Sequence, residues 1–331
     1  MIKQPDLSAL IKNDPVDHFL LIKKIETKLT KQNKSYLYLE LGDKTLSLSS
    51  NMWDNFEEIF PILNAGDVVK VSGFIEDYQG TRQIKIGAIR KAEISDNVSS
   101  LDFLPKSKRG LDEMISEFSK RIDQIKNKFL KRLLKNIFNK ENLEKFSSAP
   151  AGKTWHHSYI HGLIEHTLEI IKICDLMCDI HPEINRDLLI AGAMMHDFGK
   201  TEELSFKNIF DYTDKGKLLG HIVISAMFIN EETKKIQAFP EDLKNSLIHI
   251  VLSHQGKLEY ASPVVPKTLE AITLYQADEL SAKVNAYKNA IISQVNTESG
   301  WTKYINLAST ELFKHGLSQD KEHEINKSLF D

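Results

Sequence analysis

Residues 35–49 read SYLYLELGDKTLSLS. Leucine stands at 37, 39 and 41, with Tyr36, Tyr38 and Glu40 between them. A period of two gives one apolar and one polar face, the pattern of a half-buried strand. Gly42-Asp43 interrupts it as a turn, and residues 45–49 resume it, which predicts a hairpin. Working outward, residues 18–29 alternate loosely, and residues 55–63 (NFEEIFPIL) switch to helical spacing. Residues 67–75 (DVVKVSGFI) and 83–89 (QIKIGAI) alternate again, joined through Tyr78-Gln79-Gly80.

Three strands, a short helix and two strands is the element order of an OB-fold, a small five-stranded barrel that often binds single-stranded nucleic acid. An OB-fold nucleic-acid-binding domain is therefore expected over residues 1–98. Tyr36, Tyr38, Trp53, Phe74 and Tyr78 are its candidates for stacking on bases, and Arg82, Lys85 and Arg90 for contacting phosphates. Most aromatics in a small barrel are core. Positions 1–100 hold 13 basic and 14 acidic residues, so the barrel has no basic excess of its own.

Residues 106–145 follow a helical pattern with 12 basic and 6 acidic residues. Residues 99–150 are expected to be a basic helical connector; its surplus charge suits a phosphate backbone, or forms a solvated face. Pro150-Ala151-Gly152 ends it. Residues 151–294 read as an all-α domain punctuated by Gly and Pro. Residues 295–331 form a C-terminal tail with a weak helical pattern around Trp301 to Phe313. The fold class is α+β multidomain, a five-stranded OB-fold barrel followed by an all-α domain.

The 331 residues suit two domains, and a 41% apolar, 27% charged composition is that of a soluble globular protein. A net charge of -3 excludes a histone-like binder. The N-terminus lacks the basic-then-apolar pattern of a secretory leader, and no apolar run reaches the length of a membrane span. Cys174 and Cys178 are too few for a disulfide scaffold and read as reduced residues of a cytoplasmic protein.

Nine of the twelve histidines fall between positions 156 and 254. His166 shares a helical face with Leu163, Ile170, Ile173 and Met177. His196 and Asp197 close the run LLIAGAMMHDFGK, where Gly199 is expected to end the helix. His221 follows Gly220 at the start of an apolar helix, and His254 ends another on the stripe of Leu243, Leu247 and Val251. Asp278 lies on the stripe of Ala271, Leu274 and Ala282. Five helices thus each aim a His or Asp inward. Buried carboxylates are costly when unpaired. A metal ion removes that cost, and so does a set of structural ion pairs. Helical phase leaves both readings open.

The order His…His-Asp…Asp resembles the HD-domain metal-dependent phosphohydrolases, which places an HD domain over residues 151–294. The resemblance implies one metal site of His166, His196, Asp197 and Asp278, and a second in which Asp197 bridges to His221 and His254. It also implies catalytic roles for Asp197, for Lys200 beside phosphate, and for His157 near the metal or substrate phosphates. The bland readings are a helix C-terminal lysine and, for His156 and His157, a polar helix cap. His/Asp ligation without Cys favours two divalent ions, Mn²⁺ first, with Fe or Mg²⁺ as alternatives. Such a pair stabilises both attacking and leaving oxygens of a phosphodiester. His18, His181, His249, His315 and His323 read as ordinary satisfied histidines.

Beyond the metal motif, residues 15–315 resemble the YhaM family of bacterial 3′→5′ exoribonucleases. HFLLIK (18–23), LGDKT (41–45), Met52-Trp53-Asp54 and VVKVSG…YQGTRQIKIGAIR (68–90) carry the likeness in the barrel. WHHSYIHGLIEHT (155–167), AGAMMHDFGKTEELS (191–205), GKLLGHI (216–222), LSHQGKLEYASPVVPKTLEA (252–271) and GWT (300–302) carry it in the second half. Three positions depart: Gln255 stands where the family has a histidine, His161 where a small residue is usual, and Ala261 where glycine is usual.

The resemblance implies a metal-dependent 3′→5′ exoribonuclease that hydrolyses single-stranded RNA, with single-stranded DNA as a further substrate, to nucleoside 5′-monophosphates. A homo-oligomer is compatible with this reading, and no membrane partner is expected. Two rival readings stand beside it. One is an HD hydrolase of a cyclic dinucleotide or nucleoside triphosphate, which has no use for a strand-binding barrel. The other is a nucleic-acid-binding protein with a structural metal, for which a closed, cysteine-rich site is usual.

Overall fold

The computed structural model describes residues 4–78, 81–153, 155–206, 208–294, 299–306 and 308–314. Strands β1 (Pro15–Leu29), β2 (Ser35–Gly42), β3 (Ser47–Met52), β4 (Val68–Tyr78) and β5 (Thr81–Lys91) close into a barrel in the order β1-β2-β3-β5-β4. Neighbours are antiparallel except β3 and β5, whose parallel contact at Ser49 and Gln83 closes the ring. Leu37, Leu39 and Leu41 fill the interior, while Tyr36, Tyr38 and Glu40 stand half-buried on the outside. Gln79 and Gly80, the expected β4–β5 connection, lie outside the described residues.

The loose alternation of β1 has a physical cause. Its first half pairs with β4 and its second with β2, the two meeting at Leu21, and a bulge lies between Ile22 and Lys24. Leu20 and Ile22 enter the barrel core. Leu21 points the other way, into a buried seam with Phe103, Leu104 and Ile160 that joins barrel to helices. Consecutive buried residues therefore serve two cores.

Residues 55–63 do not form the expected helix. Asn55 has a left-handed φ of 58°, Phe56 and Leu63 turn into the barrel core, and Phe60–Ile62 makes only a 3-10 turn. Pro61 supplies no amide to propagate anything longer.

The helical pattern of residues 106–145 divides into α1 (Leu111–Gln124), α2 (Lys128–Ile137) and α3 (Lys140–Ser148), because the side chains of Asn127 and Asn139 cap new N-termini. Then come α4 (Gly162–Ile180), α5 (Arg186–Met195), α6 (Lys200–Glu203), a ribbon of β6 (Leu204–Ser205) and β7 (Asp211–Tyr212), α7 (Asp214–Lys234), α8 (Glu241–Ser253) and α9 (Leu269–Gln294). Met114, Phe118, Leu133 and Phe146 of the first three helices share one core with Leu168, Leu189, Ile250 and Leu274. Phe138 packs edge-on against Phe118, Phe146 and Phe198, tying the two groups together. Among the described residues no helix is long and apolar enough to cross a membrane.

The weak helical pattern around Trp301 to Phe313 is also overturned. Two antiparallel bridges, Trp301 to Phe313 and Ile305 to Thr310, shape an arm instead. Thr302 donates its amide to the Leu312 carbonyl, and its Oγ1 accepts from the Leu312 amide. These bonds saturate Thr302 in an extended pairing. Ile305 and Leu312 pack against Ala290, Tyr287 and Trp155, which fixes the arm to the end of α9.

Phe118 is fully buried at the junction of α1 with the remaining helices. Phe118→Ala should destabilise the chain by about 3–5 kcal/mol, as deletion of a core aromatic does. Urea unfolding measures it; a loss below about 1 kcal/mol would show that α1 is peripheral to that core.

Candidate metal centre

Tight approaches between helices position the site. A Cβ on Gly192 of α5 would lie 2.5 Å from Ile250 Cγ2, so glycine lets α8 close in. Gly199 does not end a helix in a left-handed conformation, as expected from sequence. Its φ is -60° and it caps α6. Glycine is required there because a Cβ would stand 2.2 Å from the His221 carbonyl oxygen. Gly220, at φ 71° and ψ 153°, breaks α7 so that His221 begins a new helical run. His196 and His254 are the C-caps of α5 and α8, and His166 and Asp278 lie within α4 and α9.

Asp197 is the hub, 2% exposed. Its Oδ2 lies 3.2 Å from His196 Nε2 and 3.9 Å from His166 Nε2. Its Oδ1 lies 3.4 Å from His221 Nε2 and 3.7 Å from His254 Nε2. Asp278 Oδ1 lies 3.0 Å from His166 Nε2. One carboxylate thus faces two histidine pairs with its two oxygens. The donor atoms of His166, His196 and Asp197, and those of Asp197, His221 and His254, lie within 4.8 Å of one another. His156, His157 and His166 form a third such group.

The far side of each ring is fixed. His196 Nδ1 donates to the Ala193 carbonyl at 2.8 Å, and His254 Nδ1 to the Val251 carbonyl at 2.7 Å. His221 Nδ1 meets both oxygens of Glu203, at 3.0 and 3.1 Å. His166 Nδ1 meets Ser281 Oγ at 3.1 Å, and that hydroxyl spends its proton on Glu169 Oε2, so it accepts from the ring. With each Nδ1 held by these partners, every Nε2 is aimed toward the centre.

Burial holds His166 well below the usual histidine range, and it holds His254 down to about 4. The uncharged His166 ring therefore meets the Asp278 carboxyl at 3.0 Å without an ion pair. For Asp197, burial opposes ionisation, but the charges of His196 and Lys200 outweigh it and keep the carboxyl ionised. His196 Nε2, His221 Nε2 and Asp197 Oδ1 are buried without a hydrogen-bond partner. Imidazole nitrogens and carboxylate oxygens that converge, several of them buried without a partner, fit divalent metal. Neither cysteine belongs to these groups; Cys174 is buried within α4.

Lys200 opens α6 and does not sit at a helix C-terminus; its Nζ bonds Asp197 Oδ2 at 2.7 Å. His157 is fully buried, its amide donating to Asn285 Oδ1, its ring 3.1 Å from Glu169 Oε2 without hydrogen-bond alignment. Gln255 turns its side-chain amide to His254 Nε2 at 3.2 Å. His161 and Ala261, two positions where the resemblance expects small residues, adopt left-handed φ of 70° and 64°, where glycine is at no cost. Glu203, Ser281 and Asn285, which hold His221, His166 and His157, escaped the sequence reading. Nothing in TEEL distinguishes Glu203 from the exposed-side Glu202.

The barrel candidates separate into groups. Trp53 stacks on Tyr36 with ring centroids 4.5 Å apart. Tyr38 and Arg82 line one recess. Lys85 lies over Phe74, and Tyr78 is exposed. Arg90 is not with them: it is locked in a bidentate pair with Asp96 beside Phe19.

Glu203→Gln should lower affinity for a divalent ion, with Mn²⁺ as the probe, by roughly 10–100-fold in one binding step, as losses of ligand-orienting partners do. Titration calorimetry on the metal-free protein reads this as weakening of one step; two unaltered steps would exclude His221 as a ligand oriented by Glu203.

A family model for the HD domain matches residues 163–283, and one for an OB-fold nucleic acid binding domain matches residues 21–92. The 3′-5′ exoribonuclease YhaM of Geobacillus sp. strain WCH70 is 35% identical over 278 residues, covering 84% of this chain and 85% of that protein. Its namesake in Bacillus subtilis strain 168 is 32% identical over 278 residues, with 84% and 88% covered. That of Listeria monocytogenes serotype 4b strain CLIP80459 is 34% identical over 272 residues, with 82% and 86% covered. Aligned over more than four fifths of its length, and carrying an OB-fold ahead of an HD domain, the chain belongs to the YhaM family of 3′-5′ exoribonucleases.

Proposed function

We propose that the chain is a metal-dependent nuclease that shortens single-stranded RNA from its 3′ end and releases nucleoside 5′-monophosphates, with single-stranded DNA as a second substrate. The observation that carries this reading is the division of the Asp197 oxygens between two histidine pairs, the arrangement a bridging carboxylate needs. His166, His196, Asp197 and Asp278 would hold one ion, and Asp197, His221 and His254 the other. Mn²⁺ is favoured, with Fe or Mg²⁺ as alternatives, because the donors are imidazole and carboxylate only. Bound there, two such ions supply Lewis-acid stabilisation to the attacking and leaving oxygens of a phosphodiester.

The chain's own groups do the rest. Lys200 keeps its charge, because the attraction of Asp197 outweighs the cost of burial, and its ammonium stands beside the position a scissile phosphate would take. His157 is poised against His166 and Glu169, where it can hold or pass a proton near the leaving group. Ser281 and Glu203 keep the rings in the tautomer that binds metal. The barrel keeps the body of the strand. We place the reaction in the cytoplasm.

With Mn²⁺ and a 5′-labelled single-stranded RNA, the product should be a ladder that shortens from the 3′ end and stops on chelation. Asp197→Ala should lower the rate by at least about 10³-fold, since the contribution of a metal centre is several kcal/mol, and metal content should fall with it. Internal cuts, or an intact label with turnover of a small nucleotide, would exclude the proposal.

A further inference from the structure

The barrel carries little net charge to hold a polyanion. In its recess of about 410 Å³, Tyr38 lies with serines of β3, with Arg82 and with Glu40. Arg82 and Glu40 cancel, and Arg82 is further engaged with the Leu10 carbonyl at 2.8 Å. Among the other residues lining the recess, one comes from the far end of the chain: Lys303. It is exposed, and among the described residues it has no ion-pair partner. It changes the recess from balanced to net positive.

The root of the arm lies next to the metal centre. Ile305 and Leu312 pack with Trp155, the residue before His156 and His157, whose rings approach His166 to 4.8 and 5.0 Å. α9, which receives the arm, also supplies Asn285 to the His157 amide and Asp278 to the centre. One short element thus runs from beside the metal centre to the nucleic-acid face of the barrel.

Resting on the reading of the chain as an RNA nuclease, we propose that the C-terminal arm is part of the RNA track, with Lys303 pairing with a backbone phosphate of the strand whose bases meet Tyr38. The occupant is single-stranded RNA rather than a protein, because the recess joins Tyr38, over whose ring Lys28 Nζ already lies at 3.7 Å, to the exposed Lys303 ammonium and small hydroxyls, the combination that suits bases and phosphates.

The test is fluorescence anisotropy with the full chain, chelator and an RNA of about 20 nucleotides, longer than the roughly 4–16 that one OB-fold occupies. Lys303→Ala should raise Kd about three- to tenfold and flatten the slope of log affinity against log salt by about 0.7, the loss of one phosphate contact on a single strand. Lys303→Arg should restore both. If wild type binds with a salt-dependent Kd and Lys303→Ala matches it in affinity and slope, the arm proposal is overturned while the nuclease reading stands. If wild type binds no RNA, both fall.

Discussion

A carboxylate almost sealed from water governs this molecule. Asp197 stays ionised at 2% exposure only because positive charge surrounds it. That requirement dictates much of the helical domain's detail. Glycine at 192 brings α8 close, glycine at 199 admits the His221 backbone, and the break at Gly220 turns His221 inward. Lys200 contributes an ammonium against Oδ2, which is why a lysine is tolerated at 8% exposure. The ring partners, Glu203, Ser281 and two backbone carbonyls, are the second expression of the same constraint. They decide which nitrogen of each imidazole is available.

The barrel was legible because its signals are local. The leucines at 37, 39 and 41 declare which side is inside, and the strand order follows. The failures came where long-range packing overrode local pattern. Phe56 and Leu63 have helical spacing, yet both are pulled into the barrel by a looser path. Trp301 and Phe313 read as helical but face each other across a paired arm. The inward phase of His166, His196, His221, His254 and Asp278 was readable from stripes on separate helices. Their convergence on one carboxylate was not, because periodicity fixes a face and carries no information on which faces meet. Glu203 shows the limit most plainly: an acidic residue after an acidic residue, separated from its neighbour only by what lies opposite it.

The seam between the halves is built from few residues. Leu21 leaves the barrel core to join Phe103, Leu104 and Ile160, and the Ile160 amide donates to the Pro105 carbonyl at 2.9 Å. The alternation of the strand makes this possible, since Leu20 and Ile22 face one side of β1 and Leu21 the other. The arm packs on α9 and brings Lys303 to the rim of a recess in the barrel.

That seam gives the enzyme the geometry of a ruler. The place that grips a strand and the place that cuts it are held at a set separation by Leu21 and its neighbours. As the strand is consumed from its end, it keeps both holds until its length falls below that separation; then it keeps only one. Digestion would slow at that point whatever the base sequence, and the size of the remnant would be an imprint of the seam.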